Sequence, residues 1–258
     1  MDIKIAFFDI DGTLIDPAVK KISQKTALAL TELRRRGIKT CVVTGRPTAS
    51  MPDFGELVFD AFAGFNGALC YTPKQIIYSN AIPRREVEKL LENAAALGRP
   101  VSVAVKDRLS ANGIDKDLAD YYAVPGLTLT VDPDFAQACQ EPVYQIMVGY
   151  RPEERDALTQ GVTGVKLALS WERAIDIIPE TAGKSAGIRS ILSFYGLTPS
   201  QAIAFGDSYN DLEMFGCVGH SVAMGNAVQE LKAIAGDICP PVWQDGIYQY
   251  CLAKGLIG

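Results

Sequence analysis

The sequence predicts an α/β protein: a parallel-sheet core whose two halves are separated by an inserted second α/β unit. Three observations carry that expectation. The chain opens with an apolar run, an amphipathic helical pattern and a second apolar run, an order that closes right-handed onto a parallel sheet. The same rhythm resumes from residue 183. Between the two lie about 100 residues of different texture, a length within the usual domain range. The expected boundaries are 1–81 and 183–258 for the core and 82–182 for the insertion.

The elements follow in order. IKIAFFDI, residues 3–10, is a short apolar run closed by Asp-Gly and reads as a buried strand. SQKTALALTELRRRG reads as a helix with Ser23 at its N-cap and Gly37 beyond its end. IKTCVVTG is a second buried strand, and AFAGFNGALCY reads as two strands about a turn at Asn66-Gly67. In the insertion, PRREVEKLLENAAALG is an amphipathic helix opened by Pro83. VSVAV, RLSAN, VYQIMVGY, GVKLALS and AIDIIP read as strands, and the stretches 115–123 and 152–160 as helices. After residue 183 come GKSAGIRSILSFYG (helix), QAIAFGDS (strand), YNDLEMFG (helix), HSVAMG (strand), NAVQELKAIAG (helix) and DGIYQYCLAKG (helix).

Composition narrows the function. Apolar residues are 48% and charged residues 21% of 258, and the net charge is −5. This is a globular composition with a sizeable core, and the acidic balance argues against nucleic acid as a partner. Six cysteines without a C-x-x-C pair read as buried reduced thiols. The first residues lack a basic region followed by an apolar core, and no apolar stretch approaches the roughly 20 residues of a membrane span. A cytoplasmic chain is expected, with no membrane partner, as a monomer or small homo-oligomer.

Three expected strands end in polar groups: Asp9-Ile10-Asp11-Gly12-Thr13, Thr44-Gly45-Arg46, and Gly206-Asp207-Ser208-Tyr209-Asn210-Asp211. Lys184 opens the helix that follows the insertion. In an open parallel sheet these points fall on one edge, where ligands bind. Four carboxylates there need a cation, and all-oxygen ligation suits Mg²⁺. A single histidine, His220, and no cysteine cluster argue against zinc. Lys184, Thr44 and a helix N-terminus can meet phosphoryl oxygens. On the strand, alternation would put Asp9 and Asp11 on one face, flanking one phosphorus. A nucleotide-binding phosphate loop is excluded at AGKS because Ile178 stands where its first glycine belongs. A calcium loop fails because Lys20 stands in place of the bidentate glutamate.

DIDGTL, VVTGR, GK and GDSYNDLEM resemble, in order, the four motifs of the haloacid dehalogenase-like (HAD) superfamily, and NGA and the late DGI resemble its Cof-like sugar-phosphatase branch. The resemblance implies a Rossmann-like core with an inserted α/β cap. It implies Asp9 as nucleophile, forming an aspartyl-phosphate, and Asp11 as general acid and then base. It further implies that Thr44, Gly45 and Lys184 bind the phosphoryl oxygens, with Asn210 beside them. Mg²⁺ would be held by Asp9, the backbone carbonyl of Asp11, and Asp207, with Asp211 supporting that shell. Asp11 points to a phosphatase or phosphomutase, since ion-pumping relatives carry Thr there and dehalogenases lack the second Asp. Thirty-five positions separate Asp9 from Thr44 (44 − 9) and 140 separate Thr44 from Lys184 (184 − 44), so the insertion lies in the second interval. That placement is shared by Cof-like phosphatases and phosphomannomutases. The reading is a phosphatase of small phosphorylated metabolites, sugar phosphates by resemblance, with phosphorylated cofactors as the other substrate class. A phosphohexomutase is the alternative, and a silent phospho-ligand binder a remote one. Arg108, Asn112, Asp115, Lys116, Tyr121, Tyr122, Tyr144 and Trp171 are the insertion's candidates for substrate contact. Arg46 reads either as a surface charge or as a contact to phosphate or cap, and His220 as structural.

Overall fold

The computed structural model describes residues 2–123 and 126–258, with residues 169–171 described by their backbone alone. The chain divides into two compact units. One comprises Met1–Gly45, Pro52–Tyr78 and Gly183–Gly258, the other Arg46–Met51 and Ser79–Ala182.

Along the chain the elements are β1 (Ile5–Phe8), α1 (Gln24–Arg35), β2 (Lys39–Val43), β3 (Ala61–Gly64), β4 (Leu69–Tyr71) and β5 (Ile76–Ser79). Then come α2 (Arg84–Ala96), β6 (Val101–Val105), β7 (Leu109–Ala111), α3 (Lys116–Ala123), α4 (Phe135–Ala138), β8 (Val143–Gly149), α5 (Arg155–Leu158), β9 (Val165–Trp171) and β10 (Ala174–Pro179). The last group is α6 (Lys184–Tyr195), β11 (Ala202–Gly206), α7 (Leu212–Phe215), β12 (His220–Ala223), α8 (Gln229–Ile234), β13 (Asp237–Ile238) and α9 (Gly246–Ala253).

The larger unit is built on an eight-stranded sheet in the order β13-β12-β11-β1-β2-β3-β4-β5. β1 lies centrally and runs parallel to both neighbours, with Phe8 opposite Phe205 on one side and Val42 on the other. The pairs β2–β3, β11–β12 and β12–β13 are also parallel, whereas β3–β4 is antiparallel. Alternation sends Ile5 and Phe7 to one face, where they pack with Val43, Ala63, Ala204 and the α6 residues Ile188 and Ile191. Phe8 goes to the other, stacked on Phe205 at 5.2 Å, with Tyr250 of α9 edge-on to Phe205. α1 is capped as its sequence asks. Ser23 Oγ accepts the Thr26 N–H at 3.0 Å, a bond worth about 1 kcal/mol.

The smaller unit carries a five-stranded sheet, order β7-β6-β8-β10-β9, in which every pair is antiparallel. Val87, Leu90 and Ala94 of α2, Ala138 of α4 and Leu158 of α5 cover one face through Val101, Val103, Ile146, Val148, Ile175 and Ile177. The opposite face is marked by Ser102, bonded to the Tyr122 hydroxyl, and Asp176, bonded by the Tyr121 hydroxyl at 2.9 Å. The long segment of this unit starts at Ser79. Ser79 shares a hydrogen bond with Tyr144, Asn80 donates to Thr181, and the Ile82 N–H reaches the Val143 carbonyl. β5, α4 and β13 are not expected from the sequence; each is at most four residues long, too short to show a period. Residues 209–216 form a turn of 3-10 helix followed by α7, not one helix. The six cysteines are free thiols, four of them buried. Among the described residues no helix is long and apolar enough to cross a membrane.

Candidate active site

β1, β2 and β11 run parallel, so the residues that follow them emerge on one edge of the larger unit's sheet. The Asp9 N–H still bonds the Phe205 carbonyl, 3.1 Å, which ties the end of β1 to β11. After Asp9 the backbone turns. The Ile10 carbonyl receives the N–H groups of Thr13, Leu14 and Ile15. Gly12 has φ +83°, and a Cβ added there would stand 2.2 Å from Asp207 Oδ2. Only glycine serves both the positive φ and that approach.

The turn corrects one expectation. β1 ends at Phe8, so strand alternation does not extend to Asp9 and Asp11. Asp9 is buried, while Asp11 is exposed in the turn.

Lys184, the first residue of α6, is wholly buried and donates to Asp9 Oδ1 at 2.5 Å and to Asp211 Oδ1 at 2.6 Å. The other oxygen of Asp211 receives the backbone N–H groups of Asp207 and Ser208, at 2.9 and 3.0 Å. Thr13 Oγ1 donates to Asp207 Oδ1 at 2.8 Å. Carboxylate oxygens of Asp9, Asp207 and Asp211 lie within 4.8 Å of one another, a group that could hold a metal ion. The acidic cluster thus brings together three of the four motif aspartates by their side chains, Asp211 among them. Asp211 is buried and engaged on both oxygens.

Burial pushes the Asp9 carboxyl well above the ordinary carboxylate range. The Lys184 ammonium opposes that shift, and Asp211 and Asp207 add to it. Burial, and then the charge of Asp211, push Asp207 up to about 7. Burial alone would depress Lys184, but the charges of Asp211 and Asp9 outweigh it and hold the ammonium above lysine's ordinary value. Such a cluster is short of positive charge, the condition that favours a bound cation.

Thr44 is buried just after β2, and Gly45 is half-buried beside Asn66. Asn66 takes φ +51°, and its N–H bonds the Thr44 carbonyl. Gly67 follows at φ +79°, where a Cβ would meet the Gly183 carbonyl at 2.2 Å. The NGA turn is thus the seat of the α6 N-terminus and of Lys184. Asn210 is exposed on its 3-10 turn and is not among the residues drawn into the cluster. Arg46 is half-buried and donates to the Ser50 carbonyl; His220 is half-buried on β12. Sequence reasoning missed Thr13 as a partner of Asp207, the work of Asn66, and Asn226, whose side chain donates to the Gly12 carbonyl. The quoted DIDGTL and NGA stretches held the first two.

In the smaller unit most of the named candidates have structural partners. Arg108 pairs with Glu141, and Lys116 with Asp120. Asn112 Oδ1 accepts the Val101 N–H, and Asp115 accepts from Leu118 and pairs with Arg99. The Trp171 side chain lies outside the described residues. Gln145 was not anticipated. It is buried, and among the described residues its Oε1 has no hydrogen-bond partner.

The sequence model of the haloacid dehalogenase-like hydrolases matches residues 6–251. YkrA of Bacillus subtilis, which carries the name of a phosphatase, is 32% identical over the whole of both chains. The 5-amino-6-(5-phospho-D-ribitylamino)uracil phosphatase YitU of the same organism is 28% identical over 94% of each chain. Among solved structures, the HAD subclass IIB sugar phosphatase BT4131 superposes with a TM-score of 0.86 and 27% identity, covering 98% of this chain and 100% of its own. With its motif aspartates and lysine gathered at one sheet edge, this chain belongs to the haloacid dehalogenase-like hydrolase family.

Proposed function

We propose that the protein is a Mg²⁺-dependent phosphatase of small phosphorylated metabolites, sugar phosphates in the first place, working through an aspartyl-phosphate on Asp9. The observation that carries this reading is the buried Asp9–Lys184–Asp211 array with Asp207 beside it. Two of the similar proteins, one named for a phosphoribityl compound and one for sugar phosphates, support the substrate class.

The donor set fits Mg²⁺: every candidate ligand is an oxygen. Asp9, the Asp11 carbonyl and Asp207 would hold the ion, and Asp211 would orient the shell. When bound, the ion neutralises phosphoryl charge. The chain's own residues do the rest. Thr44, Gly45 and Lys184 bind the phosphoryl oxygens, with Asn210 beside them. Lys184, bonded to Asp9 Oδ1, opposes the effect of burial and so favours the carboxylate form that attacks. A carboxylate oxygen of Asp9 attacks phosphorus and the ester P–O bond breaks. Asp11, protonated, gives its proton to the leaving alkoxide. It then takes a proton from water, whose oxygen attacks phosphorus and returns the Asp9 carboxylate and inorganic phosphate.

The segment 82–182 would serve as cap and set the leaving-group preference. Within it, Gln145 on β8 and Asp176 on β10 alternate to the sheet face opposite the helices that cover Ile146 and Ile177. An acceptor without a partner among the described residues, on the face that also carries Asp176 and its bond from Tyr121, suits a hydroxylated leaving group.

The test is a phosphate-release screen over phosphorylated sugars and cofactors with Mg²⁺. The expected result is steady inorganic phosphate, abolished by EDTA and reduced about 1,000-fold or more in Asp9→Asn. Isomerised sugar phosphate without free phosphate, or substantial turnover by Asp9→Asn, would overturn the reading.

A further inference from the structure

We propose that Asn226 is a positioning residue of the reaction: its side-chain amide fixes the Asp9–Thr13 turn against the end of β11 and so sets the place of Asp11 and Asp207. The inference rests on the phosphatase reading and deepens it. Asn226 lies in the turn after β12, a stretch that no catalytic motif includes. Its Nδ2 donates to the Gly12 carbonyl at 2.8 Å, and its Oδ1 accepts the Val242 N–H at 2.9 Å. The Gly12 carbonyl can only accept and the Val242 N–H can only donate. The side chain between them must therefore offer a donor and an acceptor; a short amide does so on two separate atoms, whereas an ionised carboxylate has no donor and a hydroxymethyl group carries both functions on one atom closer to the backbone.

The backbone that carries Asn226 is itself referenced to the acidic cluster. The Met224 N–H bonds the Gly206 carbonyl, and the Val228 N–H bonds the Asp207 carbonyl, both at 2.9 Å. Asn226 transmits that reference to the turn after β1, 214 positions away in sequence. At the other end of the same peptide unit Thr13 begins, and its hydroxyl holds Asp207. The Gly12–Thr13 link is thus held at its carbonyl by Asn226 and at its following side chain by Asp207. Gly12 already stands so close to Asp207 that a Cβ would not fit. A turn released at its carbonyl can move only by disturbing the Thr13–Asp207 bond or by re-aiming Asp11. Either would be felt in the phosphoryl-transfer step more than in substrate capture.

Three variants separate the two arms of the amide. Asn226→Ala removes both bonds. Asn226→Asp keeps the acceptor for Val242 but sets a carboxylate oxygen against the Gly12 carbonyl. Val242→Pro removes the N–H alone. Pro241 already sits at φ −65° and ψ 162°, as a residue before proline requires. With an activated aryl phosphate as substrate, Asn226→Ala should lose about 10- to 100-fold in kcat with KM changed by less than about 3-fold. Its dissociation constant for Mn²⁺, read directly by electron paramagnetic resonance without substrate, should rise by a similar factor. Asn226→Asp should match or exceed that loss in kcat, and Val242→Pro should lose less than either. The proposal is overturned if folded Asn226→Ala keeps wild-type kcat and Mn²⁺ affinity. It is overturned equally if Val242→Pro costs as much as Asn226→Asp, because the residue would then act through the Val242 loop. Should Asn226→Ala fail to fold, the ranking of the other two variants decides. A wild-type protein that binds Mn²⁺ yet releases no phosphate from any substrate would instead defeat the phosphatase reading, and the Mn²⁺ comparison would still test the tether.

Discussion

Lys184 and Asp211 share a 2.6 Å hydrogen bond with both side chains wholly buried. Neither is there for net stability, because desolvating both ions costs about as much as their attraction returns. Removing one is a different matter. Lys184→Met leaves Asp9 and Asp211 facing each other without a cation. In metal-free buffer it should lower the unfolding free energy by about 3–5 kcal/mol, measured by urea titration, and it should abolish phosphatase activity. A variant as stable as the wild type would show that the carboxylates simply protonate at little cost.

Gly67 and Gly37 make a matched pair for testing the seat of α6. Both have strongly positive φ, but a Cβ at Gly37 meets nothing within 4 Å, whereas one at Gly67 meets the Gly183 carbonyl at 2.2 Å. Gly37→Ala should cost about 1 kcal/mol of backbone strain and leave turnover intact. Gly67→Ala must also push the start of α6, and with it Lys184, so kcat should fall at least about 10-fold. Equal kinetics in the two variants would disprove the link between the turn and the lysine.

Asp117 gives the smaller unit its acid sensitivity. Its carboxylate is buried among Arg99, Arg151 and Arg173. The hydrogen bond from Arg151, with help from Arg173, holds it below the ordinary value against the effect of burial. A lowered folded-state value means stability that is complete above the unfolded value of about 3.9 and drains away as pH falls through the folded one. Asp117→Asn should therefore be less stable than the wild type by about 1–3 kcal/mol at pH 7. The gap should stay level down to about pH 5 and narrow below about pH 4. Urea titrations at several pH values check it; a gap independent of pH would remove Asp117 from the account.

Gln145 is the variant by which specificity can be read without touching the chemistry. Gln145→Leu removes a buried acceptor that has no partner among the described residues, so it should leave the fold as stable or firmer by about 1 kcal/mol. Phosphorylated sugars and sugar alcohols should lose kcat/KM relative to an aryl phosphate. An unchanged ranking across the panel would take Gln145 out of the leaving-group site.

What could be read from the chain, and what could not, divides along a physical line. Asp9, Thr44, Asp207 and Lys184 were legible because each sits at the end of an apolar run or the start of a helix, where charge is otherwise expensive. The core strands were legible for the same reason. The direction of pairing was not: VSVAV and AIDIIP look alike in parallel and antiparallel sheets, and the smaller unit is antiparallel. The contrast between buried Asp9 and exposed Asp11 was hidden because it depends on where β1 lets go of β11 and on the positive φ of Gly12. The tether from Asn226 to Gly12 joins two turns far apart in sequence, and neither turn carries a period or a charge that would advertise it.

The place of β1 in the sheet has a consequence for synthesis on the ribosome. β1 is made well before β11, and it lies between β2 and β11. β2 follows within a few dozen residues, but β11 begins at Ala202. At the usual pace of translation the far edge of β1 stays without its partner for tens of seconds. Throughout that interval its apolar backbone edge is open to any passing strand. Most of the smaller unit, by contrast, is one uninterrupted stretch, Ser79–Ala182, and can complete its sheet while the other still lacks β11. Nascent chains arrested before residue 202 should therefore protect the β6 and β8 amides from hydrogen exchange, and should engage holdase chaperones through residues 3–10.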